Sequence, residues 1–225
     1  MAPPLALDID GTLTTPAHRV DPRVFERLPE WPAPIVIATG KSFPYPIALC
    51  HFAGIPERVI AENGGVVCAD DHLAFQGDRS AAEAAIELFR ERGGDLGWGA
   101  ADTTNRWRES EIAASIDADE DLLREVAAEF DLEVVDTGYA YHLKTPGVEK
   151  GEGLVAVADL LDIDPSEFVA VGDSENDVSL FETAGTAYAV ANADDRALAA
   201  ADRVTDDGYF DGTRSVLEAL EAGDY

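Results

Sequence analysis

The sequence predicts an α/β fold: a Rossmann-like parallel sheet core with helices on both faces, plus a small inserted α+β domain. Three observations carry that reading. Short apolar runs such as Leu5–Leu7 and residues 35–38 and 168–171 alternate with helix-length segments, as parallel strands joined by helical crossovers do. Those runs stop at acids, hydroxyls or glycines, where a sheet would present the carboxyl ends of its strands. Between residues 73 and 147 the alternation gives way to a helix followed by two strand-like runs, twice over. The expected division is a core of residues 1–72 and 148–225 and an insert of residues 73–147.

Taken in order, LALDIDGTLTT at residues 5–15 opens the core as a buried strand that ends at Asp8 and Asp10. Asp21 with Pro22 signals a helix start, and Pro29, Pro32 and Pro34 end that helix. Residues 35–38 form the second strand, ending on Thr39 and Gly40, and residues 42–52 the next helix. Residues 58–61 are the third strand, followed by ENGG at 62–65 and a hairpin over 66–75 that turns near Asp70 and Asp71. In the insert, residues 80–92 are an amphipathic helix with Ala85, Ile86 and Phe89 on one side. Residues 98–116 are expected to hold two short strands containing Arg106 and Arg108, residues 119–130 a second helix, and 132–135 and 139–144 two more strands. The core resumes with helices over 150–161, 178–184, 194–200 and 214–222, and strands over 168–171, 187–190 and at Val204.

The chain carries 45 Asp and Glu against 16 Lys and Arg, a formal net charge of −29, and its only lysines are Lys41, Lys144 and Lys150. That much like charge opposes compaction. At ~1 M salt the Debye length shrinks to about 3 Å and the same surface becomes tolerable, so a salt-adapted, halophilic protein is expected. The surface lacks the basic stripe that nucleic acid or an anionic membrane would need. No apolar run approaches the ~20 residues of a membrane span, and residues 1–10 have no basic region of the kind that opens a signal peptide. Cys50 and Cys68 are too few for a disulfide scaffold and read as small buried hydrophobes. The expectation is a cytoplasmic protein, monomer or homodimer, whose partner is a small molecule.

Asp8, Asp10, Thr39, Asp173 and Asp177 all fall at or just after expected strand ends. A core strand has no structural use for two acids one residue apart, because a buried charge must be paired or metal-bound. The bland alternative for DxDG is a turn, and for GDSEND a helix N-cap with acids in its first turn. Neither explains why acids gather at separate strand ends. One hydroxyl and four carboxylates around one crevice call for a cation, and oxygen ligands alone favour Mg²⁺ over zinc.

DIDGTLT at 8–14, ATG at 38–40, GVEKGEGL at 147–154 and GDSENDVSLF at 172–181 resemble, in order and spacing, the four motifs of the haloacid dehalogenase superfamily. The match is to its phosphatases with a cap between the second and third motifs; ENGG, AVANA at 189–193 and ADRVT at 201–205 extend the similarity across the core. The resemblance implies a phosphomonoester hydrolase acting through an aspartyl phosphate. Asp8 would be the nucleophile and Asp10 the general acid, then base. Thr39 and Gly40 would bind the phosphate, Lys150 would neutralise it, and Asn176 would orient it. Gly11 and Thr12 would let backbone N–H groups face it. Mg²⁺ would be held by Asp8, the backbone carbonyl of Asp10, Asp173 and Asp177, the last directly or through water.

Size and compact cap resemble the archaeal phosphoglycolate phosphatase branch, which implies 2-phosphoglycolate as substrate. Lys41 departs from that pattern, where Arg or Asn is expected after TG. The other readings are a sugar-phosphate phosphatase acting on a compound such as sucrose 6-phosphate, a phosphomutase, or, from another class, a noncatalytic Mg²⁺ or phosphoprotein-binding module.

In the insert, Arg106 and Arg108 suit either of two roles: cationic partners of a small anionic substrate or counter-ions of Glu109 and Glu111. His18, His51, His72 and His142 show no spacing that suggests a metal site or a triad and read as surface or packing residues; Trp31, Trp98 and Trp107 read as packing anchors. DADED at 117–121 reads as solvated surface. The charge argument gives a direct test. The urea midpoint should rise between low and multimolar KCl, and equal midpoints would refute salt adaptation.

Overall fold

The computed structural model describes residues 2–137 and 140–223. β1 (Leu5–Leu7) leads to α1 (Val24–Arg27), β2 (Ile35–Ala38), α2 (Pro44–Ala53), β3 (Arg58–Ala61) and the hairpin of β4 (Val66–Ala69) and β5 (His72–Phe75). The insert contains α3 (Arg79–Glu91), β6 (Ile112–Ser115), α4 (Glu120–Glu129), β7 (Glu133–Asp136) and β8 (Ala140–Lys144). The chain closes with α5 (Lys150–Leu161), β9 (Val169–Gly172), α6 (Val178–Thr183), β10 (Thr186–Ala189), α7 (Asp195–Ala200), β11 (Arg203–Val204) and α8 (Tyr209–Ala222).

The large sheet has the order β11-β10-β9-β1-β2-β3-β4-β5. It is parallel from β11 to β3, and the β4–β5 hairpin adds an antiparallel edge. From β1 the chain steps to one side for β2 and β3 and, after the insert, returns to the other side at β9. A crevice opens at the carboxyl ends of the strands where such an order reverses, and Asp8 sits there.

The two-residue period of the strands builds the layers. Leu5 and Leu7 pack with Ile35, Ile37, Val169 and Val171 against α1, α2 and α8. Ala6, between them, joins Val36, Ala38, Ala170, Ala187 and Ala189 against α5, α6 and α7. The small side chains of this second face let α5 approach closely. A Cβ at Gly153 would lie 2.5 Å from Ile60 Cγ2, so glycine is required at that crossing.

The insert folds around its own core of Phe89, Leu123, Val126 and Leu143, with an antiparallel sheet of order β6-β8-β7. Asp78 and Asp119 cap α3 and α4 by accepting from the amides of Ala81 and Leu122.

Several expectations need correction. Among the described residues, residues 98–116 hold one strand, β6, instead of two; Arg106 lies in a turn before it and Arg108 in the irregular segment that follows that turn. The cause is local competition for backbone groups. Asp102 accepts from the Asn105 amide at 3.1 Å, and Asn105 Oδ1 accepts from the Ala113 amide at 2.8 Å. The expected boundary at residue 73 falls inside β5, which pairs with β4, so the core sheet runs on to Phe75. α8 starts at Tyr209, before the expected 214. Trp107 is no packing anchor, being 48% exposed. Tyr139, expected to open β8, lies outside the described residues. Cys50 and Cys68 are free and buried as expected, and no described helix is long and apolar enough to cross a membrane.

Phe168 is fully buried beneath the sheet face that packs on α5 and α6. Phe168→Ala should cost about 3–5 kcal/mol in urea unfolding at high KCl, with the slope unchanged.

Candidate active site

Asp8 follows β1, and its amide donates to Val171 O of the neighbouring strand at 3.0 Å, which ties the two strand ends together. Gly11 then turns with φ +81°, and a Cβ there would lie 1.9 Å from Asp173 Oδ2. Both the backbone angle and the close approach demand glycine. Asp173 follows β9, and the SEND turn after it is a capping box between Ser174 and Asp177. The N-cap role expected for GDSEND is thus real, and it folds the loop that presents Asp173 and Asn176.

Lys150, the first residue of α5, has a fully buried side chain whose ammonium reaches three carbonyl or carboxylate oxygens: Asp177 Oδ1 at 2.6 Å, Asp8 Oδ1 at 2.8 Å and Asn176 Oδ1 at 3.1 Å. Asp177 Oδ2 accepts from the amides of Asp173 and Ser174. Thr39, at the end of β2, is buried, and its hydroxyl oxygen accepts from the Lys41 amide at 3.1 Å. A Cβ at Gly40 would meet Asn63 Oδ1 at 2.8 Å and Asn176 Nδ2 at 3.4 Å, so β2 and the SEND turn close on one another. Asp10 turns to the rim, half-exposed, with Lys41 Nζ 3.1 Å away. The structure therefore brings Asp8, Lys150, Asp173, Asn176 and Asp177 together, with Thr39 and Gly40 beside them.

One oxygen from each of Asp8, Asp173 and Asp177 lies within 4.8 Å of the others. Burial pushes the Asp173 carboxyl well above the usual carboxylate range, and the charges of Asp8 and Asp177 add to the shift. Burial also raises Asp8, against the pull of Lys150. For Lys150 burial opposes the charge, but Asp177 and Asp8 outweigh it and hold the ammonium above the ordinary lysine range.

A second buried group links the insert to this cluster, and sequence reasoning missed most of it. Glu62 and Asn63 directly follow β3, both with positive φ, and each grips the insert. Glu62 accepts from the amides of Glu109 and Ser110 and from the Ser110 hydroxyl, at 2.8–3.0 Å. Asn63 Nδ2 donates to Glu111 Oε2 at 3.2 Å, while its Oδ1 accepts from Asn176 at 3.1 Å. Glu111 also meets His142 Nδ1 at 2.6 Å and bonds the Arg108 guanidinium. Burial would raise the Glu111 carboxyl, but His142 and Arg108 outweigh it and hold it at about 2. His142, expected on the surface or in packing, is thus a buried member of a polar network; Arg106 stays exposed. The strand-end rule that found Asp8 and Thr39 would also have found Glu62 and Asn63.

A model of the haloacid dehalogenase-like hydrolase family matches residues 5–104 and 101–217. The chain belongs to that family. This hydrolase is 66% identical over 222 residues to a phosphoglycolate phosphatase of Halorubrum lacusprofundi, covering 98% of each chain. A phosphoglycolate phosphatase of Haloarcula marismortui is 56% identical over 220 residues, covering 97% of this chain and 96% of that one. These relatives are halophilic, as the charge balance led us to expect. Among solved structures, that of Thermoplasma acidophilum 0175 superposes with a TM-score of 0.85 at 25% identity, covering 98% of this chain and 99% of that one.

The acidic cluster of the hydrolase fits a divalent cation. Asp8 Oδ2 and Asp173 Oδ1 are buried without a protein partner, and three carboxylates against one ammonium leave two negative charges to offset. A bound cation would stabilise the fold by about 2.7 kcal/mol at a hundredfold excess over its Kd. Mg²⁺ should therefore raise the melting temperature at fixed KCl, and Asp173→Asn should abolish that rise. Without added cation the variant should melt no lower than the parent, because it loses a carboxyl whose ionisation burial and two like-charged neighbours already oppose; a Mg²⁺ response equal to the parent's would refute the site.

Proposed function

We propose that this hydrolase is a Mg²⁺-dependent phosphomonoesterase that converts 2-phosphoglycolate to glycolate and phosphate through an aspartyl phosphate. The observation that carries the reading is the contact of Lys150 with Asp8 and Asp177 beside two buried carboxylate oxygens without protein partners. A buried lysine fixed on one oxygen of a buried aspartate orients a nucleophile and supplies positive charge where a phosphoryl group would sit. The names of the relatives supply the choice of phosphoglycolate.

In this mechanism Asp8 attacks phosphorus, the bond to the glycolate oxygen breaks, and Asp10 gives that oxygen its proton. Asp10 then takes a proton from the water that attacks the aspartyl phosphate, which releases phosphate and restores Asp8. The exposed rim position of Asp10 suits a group that meets both the leaving group and the entering water. Thr39 and Gly40 bind phosphoryl oxygens, and Asn176, held by Asn63 and Lys150, orients them. Asp8, the Asp10 carbonyl and Asp173, with Asp177 directly or through water, would hold Mg²⁺, which would supply charge neutralisation when bound. The insert that carries α3 to β8 acts as the cap that selects the substrate.

Phosphate release from 2-phosphoglycolate should require Mg²⁺ and fall by about 10³-fold or more in Asp8→Asn. Equal rates in the two proteins would remove Asp8 as nucleophile. A faster rate on sucrose 6-phosphate than on 2-phosphoglycolate would overturn the substrate assignment while leaving the chemistry in place.

A further inference from the structure

The side chain of Arg108 is 6% exposed, an unusual position for a cation in so acidic a chain. One end of its guanidinium is committed: Nη1 donates to Gly40 O at 3.1 Å and bonds Glu111. The other edge is not. Nε is fully buried without a partner, and Nη2 has none among the described residues. That Nε–Nη2 edge is one of the two that can grip a carboxylate through parallel hydrogen bonds. A desolvated donor left without an acceptor is costly, and the counter-ion role towards Glu111 accounts only for Nη1.

The surroundings hold this arginine still. The next two residues, Glu109 and Ser110, are fixed by Glu62, and Glu111 is fixed by Asn63 and His142. Gly40, whose carbonyl receives Nη1, adjoins Thr39 at the end of β2, and a Cβ on it would meet Asn63 and Asn176. Asn176 in turn touches Lys150, which touches Asp8. Arg108 is therefore anchored at the boundary between insert and core, a short hydrogen-bonded path from the nucleophile. The other cations nearby are less suited: Arg106 is exposed, and Lys41 is engaged with Asp10.

We propose that Arg108 is the specificity-determining residue that reads the carboxylate of the substrate through its Nε–Nη2 edge, with Glu111, Asn63 and His142 as the residues that position it. This assignment rests on the phosphoglycolate reading and names the side chain that would enforce it. A lysine at this position keeps a charge for Glu111 but cannot present two parallel donors.

The test compares 2-phosphoglycolate with ethyl phosphate, which lacks the carboxylate, for the parent and Arg108→Lys in Mg²⁺ and multimolar KCl. The variant should lose about 30-fold or more in kcat/KM on 2-phosphoglycolate, mainly through KM, and stay within about threefold on ethyl phosphate. Product inhibition supplies a second readout: the inhibition constant for glycolate should rise about as much, and that for inorganic phosphate should not. Equal losses on both esters, or no loss on either, would overturn the proposal, the first pointing to a structural role. A melting curve matching the parent's excludes misfolding, and Arg108→Met with Glu111→Met, which removes both charges, should show the same selective loss. If the parent itself hydrolyses ethyl phosphate and not 2-phosphoglycolate, the substrate reading fails and this assignment with it. That failure is recognised because it appears before any substitution is made.

Discussion

The fully buried ammonium of Lys150, held between Asp8 and Asp177, is the constraint around which the crevice at the strand ends is arranged. The lysine opens α5, where the helix dipole disfavours a cation by roughly 0.3–1 kcal/mol and where a purely structural helix start would favour an acid or a hydroxyl. The two carboxylates, with Asn176 Oδ1, offset that position and its desolvation, so α5, the β1 end and the SEND turn must arrive together. Gly153, packed on Ile60, lets α5 lie close enough to the sheet for this. Gly11 lets the chain turn under Asp173 without a collision. The tight packing of the core serves the placement of one charge.

How far the sequence discloses this site depends on what each residue's role rests on. Asp8, Thr39 and Asp173 were legible because an apolar run must end somewhere, and polar residues at those ends have no use in a core. Lys150 was legible through its resemblance to a motif and the scarcity of lysine. Glu62 and Asn63 follow β3 in the same way that Thr39 follows β2, but ENGG entered the reading only as an extension of the family likeness. Glu111 and His142 were beyond reach for a different reason. They are neighbours because Ile112 pairs with Leu143 across β6 and β8, and no local spacing encodes that pairing. Residues 98–116 were read as two short strands, of which only β6 forms, because Asp102 and Asn105 satisfy the backbone ahead of it locally.

Two electrostatic regimes coexist in the chain. On the surface, arginines pair with plentiful acids, as Arg92 does with Glu125 and Glu129 and Arg124 with Glu120. Such exposed pairs contribute little, typically under about 1 kcal/mol, and less in concentrated salt. Buried cations are governed differently. Lys150, Arg108 and Lys144 each lie against fixed oxygens: Lys150 on Asp8 and Asp177, Arg108 on Glu111, Lys144 on Glu133 and the Val148 carbonyl. Mobile ions do not reach them, so their interactions survive conditions that erase the surface field.

That division bears on how an anionic substrate could be recognised by so negative a protein. In dilute solution the net charge would repel it at long range. In ~1 M salt, with a Debye length of about 3 Å, the long-range field is gone, and with it any electrostatic steering. Selection must then come from contacts within hydrogen-bond distance, made by donors already desolvated and already aimed. The network of Glu62, Asn63, Glu111 and His142 provides that preorganisation at the joint between insert and core, and Lys150 and Asn176 provide it at the strand ends. The acidic surface and the rigid, buried basic centres are therefore two parts of one solution: the first tolerates brine, and the second works without help from charge at a distance.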